Sequence, residues 1–156
     1  MIIKLKDAIL FNIICLNMIA IMHAIKCLVP TLILFCLLDY LWLGNIGKSL
    51  YIDNIGSLLL LDGKTITPRF IPAFIVYLLF AIMLWMIILP LAGFNIIKSF
   101  YYGALVGCVI YGIYDMTNLA VFKEWTLFIA IIDWLWGIFL CSITGGFCAY
   151  MNSALK

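Results

Sequence analysis

The sequence contains few charged residues. Of its 156 residues, 10% are Asp, Glu, Lys or Arg and 68% are hydrophobic. Soluble globular domains carry about 25% charged and about 45–50% apolar residues, so this composition excludes an ordinary soluble domain. The mean hydropathy is +1.27. These values predict that most side chains face lipid or the protein interior.

The chain also lacks a surplus of charge of either sign and lacks sets of metal-binding residues. Lys and Arg number 9 against 7 Asp and Glu, which gives a net charge of +2. This small surplus, without a basic run, argues against a nucleic-acid partner. The chain has one histidine, His23, and its 6 cysteines form no C-x-x-C pair. We therefore expect no metal and no cofactor, and we interpret the cysteines as small buried hydrophobic residues.

Four stretches are predicted to cross a bilayer, since a spanning helix needs about 20 largely apolar residues. They lie at about 27–43, 68–91, 100–119 and 125–150. Backbone groups in hydrocarbon must hydrogen-bond internally, which requires helices, and short loops favour antiparallel neighbours. We predict an all-α integral membrane protein, a four-helix transmembrane bundle that forms one domain over residues 26–152 in a lipid bilayer. In the third span, Gly103 and Gly107 form a G-x-x-x-G pattern that permits close helix packing.

The longest connection, residues 44–67, follows the first span. Its central part, residues 49–61, is apolar with scattered polar residues. This pattern predicts a short helix that lies along the membrane interface.

The N-terminal apolar segment, residues 1–25, has no single interpretation. Residues 8–25 adjoin the first span, but one helix over 8–43 would be about 54 Å long at about 1.5 Å per residue. That length exceeds a hydrocarbon core of about 30 Å. Four interpretations remain. The segment is an extra short span with a turn near 23–26, or it lies in the membrane interface. Alternatively it is a signal peptide with a poor cleavage pattern, or it lies upstream of a translation start at Met22. We favour the first and the last interpretation.

Three aspartates lie inside the predicted spans: Asp39, Asp115 and Asp133. An acid at the centre of a spanning helix costs about 2.5–3.5 kcal/mol on insertion scales, and intramembrane acids are commonly functional. Successive spans run in opposite directions, so the end of the first, the end of the third and the start of the fourth lie on one side. We therefore expect the three carboxyls in one layer, beneath the connection over 44–67.

Other polar and aromatic side chains share helix faces with these acids at steps of three or four residues. A D-x-x-W pattern occurs twice, at Asp39/Trp42 and at Asp133/Trp136. Each spacing predicts a tryptophan beside the acid of its own segment, where the indole N–H can donate to a carboxylate. The predicted ligand or ion pocket comprises Asp39, Trp42, Tyr111, Tyr114, Asp115, Asn118, Asp133 and Trp136.

Charge balance in the predicted pocket is uneven. Arg69 is the predicted counter-charge, because it is the permanent cation placed nearest to this layer of acids. Like charges at close range cannot all ionise cheaply. We therefore expect that at least one aspartate holds a proton or that a bound cation neutralises it.

Four segments of the chain together resemble a known family. They are LLDYLWLG at 37–44, PAFIVYLLF at 72–80, YGIYDMTNLAVFKEW at 111–125 and DWLWG at 133–137. The resemblance is to the DUF2177 family of uncharacterised bacterial multi-pass membrane proteins, and it extends over about residues 22–150. It implies a small four-helix protein of the bacterial inner (cytoplasmic) membrane. Members usually begin just before the first span, which agrees with a start at Met22. The family's shared polar positions correspond here to Asp39, Trp42, Tyr111, Asp115, Asn118, Asp133 and Trp136.

Three functions remain as hypotheses. The first is a module that binds or transports a proton, a cation or a lipid-like molecule, and four helices are few enough that we expect a homo-oligomer or a membrane partner subunit. The second is an enzyme, or an accessory subunit, that acts on membrane lipids through two aspartates of different pKa, although the sequence offers no nucleophile beside a base. The third is a structural partner protein whose polar cluster only sets helix packing.

Overall fold

The computed structural model describes residues 2–155, with side chains for residues 16–155. Its helices are α1 (Ile2–Leu41), α2 (Lys48–Ile55), α3 (Phe70–Met83), α4 (Leu89–Leu91), α5 (Ile96–Val121) and α6 (Leu127–Ala154). Two five-residue π-helical turns, Trp42–Ile46 and Leu84–Ile88, follow α1 and α3. A 3₁₀ turn, Gly56–Leu58, follows α2, and strands β1 (Leu61–Asp62) and β2 (Thr65–Ile66) then form a small antiparallel hairpin.

Four helical stretches of the described residues are long and apolar enough to cross a membrane. They are Leu16–Ile46, Phe70–Leu91, Ile96–Val121 and Leu127–Ala154. The predicted all-α bundle with four spans and one additional short helix is therefore confirmed. The second span begins slightly later than expected, because Pro68 precedes the first helical turn and Arg69, with extended backbone, is the N-cap residue.

The first helix continues through the segment that sequence analysis left open. α1 runs without interruption through residues 23–26, so the turn that a separate fifth span would need there is absent. Pro30 lies inside the helix. Transmembrane helices tolerate proline because neighbouring groups pair the backbone groups that it leaves without a hydrogen bond. The side chains of residues 1–15 lie outside the described residues. At about 1.5 Å per residue, this helix exceeds the hydrocarbon thickness and must tilt or project from the membrane.

Helix α6 occupies the centre of the bundle. It packs along α5, contacts α1 on another face, and is covered by α2 near its first turns. α1 contacts α6 more extensively than it contacts α3, so the first span has the fourth span as its main neighbour. The buried residues of α6 include Cys141, Thr144 and Cys148. Small side chains at these positions allow close contact between helices.

Glycines determine how closely α5 and α6 approach. A Cβ at Gly103 would collide with the backbone of Cys141, and a Cβ at Gly107 would lie 2.6 Å from the carbonyl oxygen of Gly137. A Cβ at Gly137 would overlap the ring of Tyr111. The aromatic ring therefore occupies the space that any larger residue at 137 would need.

Substitution of Gly137 by alanine should destabilise the bundle. The added methyl group must displace the Tyr111 ring, and overpacking of this kind costs about 1–3 kcal/mol. Thermal unfolding in detergent measures the effect. Gly56→Ala is the matched control, because a Cβ there meets only Ile52 at 3.8 Å. Equal unfolding temperatures for the two variants would contradict this account of α5–α6 packing.

Candidate intramembrane carboxyl site

Helix α2 covers the end of α6 that carries Asp133. Its buried residues are Tyr51 and Ile55, and both pack against Ile129 of α6. The hydroxyl of Thr126, the N-cap residue of α6, donates to Asn54 Oδ1 at 3.4 Å. The short helix predicted in the connection over 44–67 is therefore present and docks onto the bundle.

In each D-x-x-W segment, the tryptophan is hydrogen-bonded towards the acid of the other segment, directly or through Tyr51. Trp136 Nε1 donates to Asp39 Oδ1 at 3.1 Å, so the indole of α6 binds the acid of α1. Trp42 Nε1 donates to the hydroxyl oxygen of Tyr51 at 3.0 Å, and that hydroxyl donates to Asp133. The indole of Trp136 therefore donates to a neighbouring carboxylate, but that carboxylate belongs to the other D-x-x-W segment. The indoles project towards the facing helix, where the acid of the other segment lies.

The two exchanged tryptophans also contact each other. The Trp42 and Trp136 rings stack with centroids 4.7 Å apart and planes 7° from parallel. Aromatic pairs of this kind contribute about 0.5–1.5 kcal/mol beyond their burial. We call the joined set, Asp39, Trp42, Tyr51, Asp133 and Trp136, the crossed clasp. It links α1, α2 and α6.

Asp115 lies outside the crossed clasp. It is fully buried on α5, and neither of its carboxyl oxygens has a hydrogen-bond partner among the described residues. Asp133 is close enough to interact electrostatically with Asp115 and with Asp39. The structure thus brings the three carboxyls near one another but gives them different environments. Asp39 and Asp133 are hydrogen-bonded, whereas Asp115 is not.

Trp125 contributes a second unpaired group at the same end of the bundle. Its indole Nε1 is buried and lacks a partner among the described residues. The ring packs on the cluster of Tyr51, Ile55 and Ile129, and it meets Tyr114 edge-to-face with centroids 5.9 Å apart. A buried hydrogen-bond donor therefore lies at the same end of the bundle as the unpaired acceptors of Asp115.

The remaining residues of the predicted pocket occupy its margins. The ring of Tyr111 fills the space beside Gly137. Its centroid lies 6.4 Å from the centroid of the Phe80 ring. Tyr114 is 53% exposed and interacts with Asn118 one turn along α5. These side chains border the carboxyls and do not hydrogen-bond to them in the described structure.

Arg69, the predicted counter-charge, lies at the surface, and no hydrogen bond joins it to the carboxyls among the described residues. It is exposed and immediately precedes α3. The hydrogen bonds to Asp39 and Asp133 come from Trp136 and Tyr51 instead. Within residues 16–155, no group of three or more His, Cys, Asp or Glu side chains could hold a metal ion.

The pocket predicted from the sequence includes neither Tyr51 nor Trp125. Tyr51 lies one helical turn before Ile55, and this i, i+4 spacing marks the buried face of α2. The spacing does not indicate what that face covers. A residue brought to the site by a connection after the first span can be recognised only when the docking of that connection is known.

The family comparison covers the whole site. The family model described as "Predicted membrane protein (DUF2177)" matches residues 24–150. The chain belongs to this family. No curated protein and no solved structure matches the chain. Membership identifies a multi-pass membrane protein of unknown function. The matched range of this DUF2177 chain contains the crossed clasp, Asp115 and Trp125, whereas His23 lies just before it.

The exchanged hydrogen bond predicts which residues are energetically coupled. A double-mutant cycle on Asp39→Ala and Trp136→Phe should give a coupling free energy within the range of about 0.5–3 kcal/mol found for residues in contact. A cycle on Asp39→Ala and Trp42→Phe, within one D-x-x-W segment, should give a smaller value. Free energies of unfolding in mixed micelles measure both. Stronger coupling within the segment would contradict the exchanged arrangement.

The position of Tyr51 predicts a pH dependence of stability. Burial, then the nearby Asp133 charge and the hydrogen bond to it, raise the pKa of Tyr51, while the hydrogen bond from Trp42 opposes this rise. The folded chain thus retains the phenol proton at pH values where the unfolded chain, with a pKa of about 10, has lost it. The stability that depends on the neutral phenol is complete below about pH 10 and is lost as the pH rises further.

Unfolding of the wild type and of Tyr51→Phe across this pH range measures the effect. The wild type should lose stability relative to the variant above about pH 10. Tyr101→Phe is the control, because Tyr101 is 67% exposed. Parallel stability curves for the wild type and Tyr51→Phe would show that this phenol is not buried as described.

Proposed function

We propose that this membrane protein binds a proton, or a small group that donates a hydrogen bond, at an intramembrane carboxyl site. The carboxyl site comprises Asp115, Asp133 and Tyr51 and lies beneath α2. The observation that carries the proposal is the complete burial of Asp115 with both carboxyl oxygens unpaired within the described structure.

An ionised carboxylate in that position is strongly disfavoured. A buried charge must be paired, or the group takes up a proton and becomes neutral. Asp133 adds to this cost, because two nearby carboxylates cannot both ionise cheaply. Arg69 is exposed and, among the described residues, donates no hydrogen bond that would offset the cost. A proton or a donating ligand group would therefore stabilise the site.

The same observation separates this proposal from a purely structural role. A packing clasp explains Asp39 and Asp133, since each accepts a hydrogen bond that joins two elements. It does not explain Asp115, which joins nothing by hydrogen bonds in the described residues. A divalent cation is also disfavoured as the ligand. Ca²⁺ takes about 6–8 oxygen ligands, more than one carboxyl pair and a phenol supply.

The proposal extends to the setting of the site. A bundle of four spans is small for a transporter, so transport of the bound group would involve a homo-oligomer or a membrane partner subunit. We place the protein in the bacterial inner membrane, in keeping with the family resemblance. Binding at the carboxyl site is the part of the function that the geometry supports best.

Infrared spectroscopy of the protein in lipid tests the protonation state of Asp115. The wild type at neutral pH should show the carbonyl band of a protonated buried carboxyl, and Asp115→Asn should lack it. Thermal unfolding provides the structural control. Asp115→Asn should unfold at or above the wild-type temperature, because the amide matches the shape of the protonated carboxyl and cannot ionise, whereas Asp39→Asn should unfold lower.

A different pattern would reject the proposal. If Asp115→Asn unfolds several degrees below the wild type and the wild type shows no protonated carboxyl band, Asp115 is an ionised structural partner. The cluster would then serve packing alone.

A further inference from the structure

The unpaired polar atoms of this structure are concentrated at one place. Within the described side chains, the buried and unpaired nitrogen and oxygen atoms are Ser99 Oγ, both carboxyl oxygens of Asp115, and Trp125 Nε1. Thus three of the four belong to two residues near α2. Native proteins pair the large majority of such atoms, so this concentration calls for an explanation.

Asp115 and Trp125 adjoin the same side chain. The Trp125 ring packs on the cluster that contains Tyr51, and the Asp115 carboxyl interacts electrostatically with the Tyr51 hydroxyl. Tyr114, which precedes Asp115 in the chain, contacts the Trp125 ring. The unpaired donor and the unpaired acceptors therefore both lie in the neighbourhood of Tyr51.

The Tyr51 hydroxyl cannot satisfy these atoms. Tyr51 accepts a hydrogen bond from Trp42 and donates its single proton to Asp133. A phenol has one proton to donate, so Tyr51 has none left for Asp115. The missing partner must come from outside the crossed clasp.

The chemistry of the two residues specifies that partner. It must donate to the carboxyl of Asp115 and accept from the indole N–H of Trp125. A hydroxyl group does both, whereas an ammonium group only donates and an ether only accepts. We propose that the carboxyl site binds the hydroxyl group of an amphipathic alcohol from the membrane, held between Asp115 and Trp125. This inference rests on the proposed function and names its ligand class.

The surroundings of the site suit an alcohol with an apolar chain. Tyr114 is 53% exposed, and Val121 and Phe122 at the end of α5 are also exposed. In a spanning helix these apolar surfaces contact lipid. A ligand that approaches from the bilayer would therefore keep its chain in lipid and insert only its hydroxyl group.

Indole N–H resonances provide a direct test. The chain has 5 tryptophans, and ¹⁵N-edited spectra of the protein in nanodiscs can follow each indole, with Trp125→Phe assigning one. We expect 1-dodecanol to shift the Trp125 resonance in a saturable manner. Dodecane and dodecyl methyl ether are the matched probes without a hydroxyl group and should shift it much less. Trp85, which lies beside His23 and Asn152 in another part of the bundle, should not respond.

Substitution of Asp115 tests the second contact. Asp115→Leu, which keeps a side chain of similar shape, should weaken dodecanol binding about tenfold, the equivalent of about 1.4 kcal/mol for one hydrogen bond. If Asp115→Leu fails to fold, Asp115→Asn should still weaken binding, by a smaller factor. Leu105→Ala, on the lipid-exposed face of α5, is the control and should leave the affinity unchanged.

Three results would overturn the inference. A Trp125 resonance that is insensitive to dodecanol would indicate that water alone pairs these atoms. An equal response to dodecane, or an equal shift of the Trp85 resonance, would indicate a general change in the bilayer. A protonated Asp115 band together with an unresponsive Trp125 would reject the hydroxyl ligand and leave the proposed carboxyl site standing. If the protonated carboxyl band and the Trp125 shift are both absent, the hydroxyl ligand and the proposed carboxyl site are both rejected.

Discussion

The hydrogen bond from Trp136 to Asp39 and the paired bond from Tyr51 to Asp133 organise one end of this molecule. In a medium of low dielectric constant, each aspartate needs a donor, and each donor comes from a different element of the chain. The hydrogen bond that Asp39 of α1 accepts from Trp136 fixes the position of α6. The hydrogen bond that Asp133 of α6 accepts from Tyr51 fixes the position of α2. The position of α2, which covers this end, thus depends on the hydrogen bonds of two partly buried carboxyls.

Close packing of α5 against α6 then determines where the third acid lies. The glycines at 103, 107 and 137 remove the side chains that would hold the two helices apart. The ring of Tyr111 occupies the space beside Gly137, and Asp115, one helical turn further along α5, is carried into the interior. Its burial is a consequence of helix packing, and no hydrogen bond within the described residues compensates for it. That contrast with the satisfied acids is the reason to regard Asp115 as the centre of a binding site.

Much of the candidate site could be predicted because its signals are local or periodic. An acid within an apolar stretch is evident without knowledge of the fold, and the alternation of spans places Asp39, Asp115 and Asp133 at comparable depth. The i, i+3 spacing of each D-x-x-W segment correctly marks residues that share a face. It could not indicate the hydrogen-bond partner, because an indole is long enough to reach the neighbouring helix. Tyr51 could not be predicted at all, since its role depends on how the connection after the first span folds back over α6.

The sequence by itself determined that this membrane protein has four helices long and apolar enough to span a bilayer and that it carries acids within them. Both follow from composition and from the requirement that backbone groups hydrogen-bond internally in lipid. Only the tertiary structure decided which acids are satisfied and which one is not. Hydrogen bonding between side chains on different helices depends on interhelical distance and on side-chain direction, and neither is encoded in the spacing of residues along one helix.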